Sequence, residues 1–215
     1  MTAGITQNPN ETPRGLPIGR IAFGVAVVLI LVTSGATFII AKNWIQAAYP
    51  PVSIIESDGG VSTLIPPRPL ADFTLTDHTG ASVSLSDFAG KPVLLSFGYT
   101  YCPDVCPMTI QSHSRVHDML GEAGDDAAYV FISVDGDRDT PERLDLFLQA
   151  RGVRDIFTAL TGDPGEVRRI GADYGLFFEY VDEDSGFYMV DHTASTYLID
   201  GNGALAHIIG FNTPL

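Results

Sequence analysis

Val93-Leu94-Leu95-Ser96-Phe97-Gly98-Tyr99-Thr100-Tyr101-Cys102-Pro103-Asp104-Val105-Cys106-Pro107 is the stretch that decides how this chain folds. Its first five residues are a short, almost unbroken apolar run, the pattern of a strand buried on both faces of a sheet. Residues 98–107 then read as a loop, and Met108 to Leu120 as an amphipathic helix with Ile110, Val116, Met119 and Leu120 on its apolar face. Pro107 suits the first helical position, which puts Cys106 near the N-cap and Cys102 in the loop before it. Both sulfurs then lie near the positive end of a helix dipole, where a thiol loses its proton more easily.

Outward from that unit, strands and helices alternate. Tyr129 to Val134 predicts a second buried strand, and Thr140-Pro141-Glu142-Arg143 opens a helix with a Thr N-cap and Pro at the first position. Phe157 to Leu160 predicts a third strand, and Asp163-Pro164 caps a helix running to about Tyr174. Ser195 to Ile199 and Leu205 to Ile209, joined by Asp200-Gly201-Asn202-Gly203, form an antiparallel pair. Upstream, Phe73-Thr74-Leu75-Thr76 and Val83-Ser84-Leu85 alternate around His78-Thr79-Gly80 as an edge hairpin. The pattern predicts α/β: one central mixed sheet flanked by helices, with an N-terminal β-hairpin extension. Asn212-Thr213-Pro214 carries a helix start with only Leu215 after it, so a final helix is expected to be missing.

Ile21 to Ala41 holds 21 residues without a charge, enough as a helix to cross a hydrocarbon core of about 30 Å. The run exceeds a signal-peptide core and lacks an A-x-A site after it, so a single uncleaved transmembrane helix is expected. Arg14 and Arg20 precede it, which puts the N-terminus in the cytoplasm and the bulk outside. Pro50-Pro51, Gly59-Gly60 and Pro66-Pro67 then read as a tether. The expected organisation is a cytoplasmic tail at 1–20, an anchor at 21–41, a linker at 42–71 and a folded domain at 72–215.

Twelve Lys and Arg against 26 Asp and Glu give a net charge of −14, and residues 72–215 alone hold 23 acids against 8 bases. Such a surface excludes nucleic acid as a natural partner. Two cysteines cannot staple a miniprotein or fill a four-thiolate zinc finger. Bridged to each other they would close too short a loop to stabilise the fold much. A paired reactive site is the better reading, for redox exchange or for metal. His192, in Val190-Asp191-His192-Thr193 just before a late strand, is a candidate third ligand; two thiolates and an imidazole make a soft set suited to Cu(I), or with a fourth ligand to Cu(II) or Zn. Asp191 is a candidate to orient that ligand from behind. His113 and His117 share a helix face and read as solvated, while His78 and His207 have no ligand partner nearby in sequence. A Cys102/His192 protease dyad leaves the second cysteine unexplained, and Gly90-Lys91 lacks the glycine spacing of a phosphate loop.

Three ordered motifs, Phe97 to Pro107, then Ile132-Ser133-Val134-Asp135 with Arg138-Asp139-Thr140-Pro141, then Asp191-His192-Thr193 before Tyr197-Leu198-Ile199, resemble the Sco/SenC family of membrane-anchored copper proteins of cytochrome c oxidase assembly. The resemblance implies a thioredoxin-like fold with Cys102, Cys106 and His192 as copper ligands. It implies a metallochaperone in the inner (cytoplasmic) membrane, its domain in the periplasm, serving the dinuclear copper site of oxidase subunit II. It also implies a copper donor or thiol reductant in the same compartment. Two alternatives use the same cysteine loop: a thiol–disulfide oxidoreductase that reduces the partner's cysteines, and a peroxidase motivated by Thr100 two residues before Cys102, in which His192 has no role. Tyr101 stands where many relatives have His, and Gly136 where Pro is usual, which predicts a more flexible loop.

Overall fold

The computed structural model describes residues 36–43, 53–57, 59–181, 188–211 and 213. The chain divides into two units, Met1–Pro51 and Val52–Leu215. In the first, residues 36–43 are helical and exposed. The rest of the expected span at 21–41 lies outside the described residues, among which no helix is long and apolar enough to cross a membrane. Of the expected helix start at 212–214, only Thr213 is described.

The second unit begins earlier than the sequence suggests. Strands β1 (Ser53–Ser57) and β2 (Val61–Pro69) lie within the stretch read as a linker, and the sheet order is β1, β2, β11 (Ala204–Gly210), β10 (Ser195–Ile199), β5 (Val93–Gly98), β6 (Ala128–Ser133), β7 (Phe157–Thr161), β3 (Thr74–Asp77) and β4 (Ser82–Ser84). The prolines of β2 weaken the alternating pattern, yet the strand is held by antiparallel pairing with β11, Val61 opposite Ile209 and Thr63 opposite His207. His207 Nδ1 also lies 3.1 Å from Thr63 Oγ1. The expected edge hairpin is present as β3 (Thr74–Asp77) and β4 (Ser82–Ser84), with β3 pairing β7.

Three parallel strands form the centre: β5 (Val93–Gly98), β6 (Ala128–Ser133) and β7 (Phe157–Thr161). Helix α1 (Val105–Leu120) follows β5, α2 (Pro141–Gln149) follows β6 and α3 (Pro164–Ala172) follows β7. Thr140 and Asp163 cap α2 and α3 as predicted, each with Pro at the first position. A separate two-stranded sheet, β8 (Phe178–Val181) with β9 (Met189–His192), precedes β10 (Ser195–Ile199) and β11 (Ala204–Gly210).

Register assigns the two faces. Ser96 pairs with Thr196 and with Phe131, so these side chains point the same way. His113 of α1 meets Thr196 there, and Phe147 of α2 stacks on Phe131 at 5.5 Å. Phe97 and Tyr197 point to the opposite face and pack edge-on against Tyr174, just past α3, at 5.4 and 5.2 Å. The mixed sheet thus carries two helices on one side and one on the other, as expected. The face of α1 departs from expectation: Cys106, Ile110 and His113 are its buried residues, whereas Met119 and Leu120 are exposed.

Topology also fixes where chemistry can collect. The loops after β5 and β6 leave the same edge, since Gly98 lies beside Ser133. Because β10 runs antiparallel to β5, with Thr196 opposite Ser96 and Ile199 opposite Val93, the residues just before β10 arrive at that edge too. Ligands of open α/β sheets gather at the carboxyl ends of parallel strands for this reason.

Candidate metal centre

Helix α1 begins two residues earlier than Pro107 suggests. Asp104 is its N-cap, so Cys106 is the second helical residue and Pro107 the third. A proline is tolerated anywhere in this turn because the first backbone N–H groups have no intrahelical partner. One such orphan, the Cys106 N–H, donates to Cys102 Sγ at 3.4 Å. The loop returns on itself through Cys102 N–H to the Tyr99 carbonyl at 3.3 Å.

Cys106 is buried and Cys102 half-buried, and both are free thiols. A hydrogen bond from the Cys106 thiol, aided by the Cys106 amide, holds the Cys102 pKa down to about 3. The same bond, with burial, pushes Cys106 up. The two sulfurs therefore share one proton, kept on the inner one, and the outer one is a thiolate at neutral pH.

His192 closes the group. Rather than sitting in a loop, it ends β9, opposite Phe178 of β8, and its Nε2 lies 3.4 Å from Cys106 Sγ. The other ring nitrogen, Nδ1, donates to the Thr193 carbonyl at 3.1 Å, which leaves the Nε2 lone pair facing the sulfurs. The ligand atoms of Cys102, Cys106 and His192 lie within 4.8 Å of one another, the one such Cys, His, Asp or Glu group among the described residues. Asp191 does not support it: strand alternation turns this side chain out, where it is exposed. The Thr193 carbonyl fills the place expected of Asp191.

The remaining histidines are accounted for separately. His113 is buried against Thr196 Oγ1 at 2.8 Å, not solvated, because it follows Cys106 and Ile110 on the inner stripe of α1. His117 lies 3.1 Å from Asp125. Ala159 N–H meets His78 Nδ1 at 3.4 Å.

Sequence reasoning missed several supports. A Cβ on Gly98 would stand 2.7 Å from both Cys106 Sγ and Phe131 Cε2, so this glycine makes the room in which Cys106 sits. Asp139, fully buried, accepts Thr100 N–H at 2.9 Å, Thr100 Oγ1 at 2.6 Å and Ser133 Oγ at 2.6 Å, tying the cysteine loop to β6. Thr100 Oγ1 also accepts from Arg143 Nε at 3.3 Å, so this hydroxyl is held from both sides. Gly136 lies against the Gly162 carbonyl, where a Cβ would collide, so this position is closely packed rather than loose. The residues themselves stood in the quoted motifs; only their pairing across the sheet edge was hidden.

A soft donor set of two sulfurs and one imidazole nitrogen fits copper. The SCO1/SenC family model matches residues 65–214. The chain is 40% identical to the protein SenC of Rhodobacter capsulatus over 128 residues, 60% of this chain and 57% of that one. It therefore spans little more than half the length of that relative. Bradyrhizobium japonicum ScoI, solved with copper bound, superposes with a TM-score of 0.62 at 35% identity, covering 67% of this chain and 90% of that one. BsSco, whose structure is described as identifying a disulfide switch in a member of the Sco family of cytochrome c oxidase assembly proteins, gives 0.56 at 25%, covering 74% and 90%. With the family model matching across the sheet and all three converging donors, the chain belongs to the SCO1/SenC family.

Proposed function

We propose that this protein is a copper metallochaperone that binds the ion through Cys102 Sγ, Cys106 Sγ and His192 Nε2 and delivers it to the dinuclear copper site of cytochrome c oxidase subunit II. The convergence of those three atoms within 4.8 Å carries the reading. Thiolate sulfurs select soft ions, and a three-coordinate set suits Cu(I). Cys102 is both anionic and the more accessible sulfur, so an incoming partner thiol meets it first and copper passes by ligand exchange without being freed. The kinship with ScoI and with the oxidase-assembly group that includes BsSco supports copper as cargo and the oxidase as destination. The apolar run at 21–41 supports anchorage in the inner membrane with the domain in the periplasm.

Metal titration of the reduced chain tests the assignment. Cys102→Ser and Cys106→Ser should each abolish stoichiometric copper binding, and His192→Ala should weaken it. Binding unchanged in His192→Ala would remove the imidazole from the site.

The asymmetry of the sulfurs favours a second reading, thiol–disulfide exchange. Cys102 thiolate attacks a partner disulfide, a mixed disulfide forms and one partner thiolate leaves. Cys106, once deprotonated, then attacks Cys102 Sγ and releases the second partner thiolate, leaving the Cys102–Cys106 disulfide. Reduction of a subunit II disulfide without copper, at full rate in His192→Ala, would favour this reading over the first.

A further inference from the structure

His192 reaches the cysteines on a hairpin that is not hydrogen-bonded into the nine-stranded sheet. Side chains must fix its position: the Tyr180 hydroxyl of β8 donates to the Val134 carbonyl at 2.8 Å, and one planar cation stands where the start of β9 meets the sheet edge. Arg138, in the loop after β6, donates through Nε to Asp135 at 2.6 Å and through Nη1 to the Tyr188 carbonyl at 2.9 Å. Tyr188 immediately precedes β9. Its ring lies under the guanidinium, 3.5 Å from Cζ to the ring centre, and its hydroxyl donates back to the same Asp135 at 2.8 Å. Tyr101 of the cysteine loop lies 4.8 Å from that Cζ and Tyr99 5.9 Å. Tyr99 is edge-on to the His192 ring at 6.0 Å, and its hydroxyl faces Met189 Sδ at 3.9 Å.

We propose that Arg138 is a positioning residue for the metal site: with Asp135 and Tyr188 it clamps the start of β9 to the sheet edge and so holds His192 Nε2 over the two sulfurs. The inference rests on the reading of Cys102, Cys106 and His192 as the copper ligands and extends it to the residue that sets the geometry. The chemistry requires arginine. A guanidinium presents separate donors to a carboxylate and a carbonyl while offering its flat faces to aromatic rings; a lysine ammonium cannot do all of these at once. Asp135 is fully buried, and its carboxylate accepts from both Arg138 Nε and the Tyr188 hydroxyl, so it joins the loop after β6 to the start of β9.

The test uses the full-length reduced chain in detergent with copper(II) ion as the probe. In Arg138→Ala the sulfur-to-copper charge-transfer band should persist, while the imidazole nitrogen modulation in pulsed electron paramagnetic resonance falls to the level of His192→Ala. Copper affinity should drop roughly ten- to a hundredfold, as for other residues that orient ligands. The double variant should bind no more weakly than His192→Ala alone, because both changes remove the same interaction. Wild-type nitrogen modulation in Arg138→Ala, or additive losses in the double variant, would overturn the proposal.

Should Arg138→Ala fail to fold, Arg138→Lys and Tyr188→Phe take its place; nitrogen modulation at the wild-type level in both would equally overturn it. Hydrogen exchange of the metal-free chain gives a reading independent of copper. Amides of 188–193 should exchange at least tenfold faster in the variant with β5 and β6 unchanged, and unaltered exchange refutes the clamp. Absence of copper binding by the wild type would instead overturn the metal reading, with the exchange result still deciding the role of Arg138.

Discussion

Acidification should destabilise this protein through His113. The residue lies in mid-helix at 3% exposure, stacked on Phe157 at 6.1 Å, with Nε2 2.8 Å from Thr196 Oγ1. Burial penalises the imidazolium and holds the pKa down to about 4, against 6.5 for a free side chain. Above pH 6.5 the ring is neutral in both folded and unfolded chains, and the proton has no leverage. Below it the unfolded chain takes up the proton first, so stability is lost as pH falls from about 6.5 to about 4, by at most about 1.4 kcal/mol per pH unit. Over a window of about 2.5 units the loss is about 3 kcal/mol, large beside a total stability of about 5–15 kcal/mol. Urea unfolding between pH 4 and 8 measures it, in the wild type and in His113→Gln, whose amide can still reach Thr196 but does not titrate. The buried carboxyl of Asp139, whose pKa is raised by desolvation, acts in the opposite sense, gaining stability for the fold as pH falls. It is present in both proteins and cancels in the comparison. The wild type should lose about 3 kcal/mol relative to the variant between pH 7 and pH 4. A difference that does not change with pH would refute the argument.

Gly98→Ala places a methyl 2.7 Å from Cys106 Sγ and Phe131 Cε2; overpacking of this kind costs about 1–3 kcal/mol, read by urea unfolding, and copper titration should show weaker binding as the sulfur is displaced. Cys102 remains thiolate until pH nears about 3. Iodoacetamide should therefore label it at pH 5 almost as fast as at pH 8, where an ordinary thiol slows about a thousandfold. Mass spectrometry should find Cys106 unlabelled, and a normal thiol pH profile at Cys102 would contradict the shared proton. Asp139→Ala strands the Thr100 N–H, while Thr100 Oγ1 still accepts from Arg143 and Ser133 Oγ from the Asp135 N–H; at about 1–3 kcal/mol for a buried group left unpaired, unfolding should show a loss of at least about 1 kcal/mol.

What could be read from the sequence was what is encoded locally. The apolar run of β5, the capping pairs Thr140-Pro141 and Asp163-Pro164, and the turn at 200–203 each act over a few residues, and each produced its element. Strand β2 was misread because Pro66, Pro67 and Pro69 break its pattern, while what holds it is pairing with β11 some 140 residues away. The β8–β9 hairpin left a signal that was passed over: aromatic and β-branched runs on either side of Asp182-Glu183-Asp184-Ser185-Gly186. His113 reads as solvated when it is taken as a pair with His117 that makes no metal motif, although its spacing from Cys106 and Ile110 puts it on the buried stripe. The cysteines were legible because they are the only two; His192 was a candidate third ligand from its place before a late strand, and the antiparallel run of β10 against β5 is what brings it to the cysteine edge.

The donors reach the site by two routes, and the difference bears on release. Cys102 and Cys106 are fixed to the central strands by Gly98, by the Asp139 network and by the first turn of α1. His192 comes on a hairpin outside the main sheet, tied through Arg138, Tyr188 and Tyr99. A cargo handed on by ligand exchange must lose its donors one at a time, each replaced before the next departs. A site whose three donors shared one rigid element would have to deform that element at every step. Here the imidazole can withdraw by loosening side-chain contacts at the hairpin, while the backbone hydrogen bonds of the sheet stay intact. On the proposed ligand exchange, Cys102 is the sulfur an incoming thiol meets first, and Cys106, buried and holding its proton when no metal is bound, would be the last to give up copper.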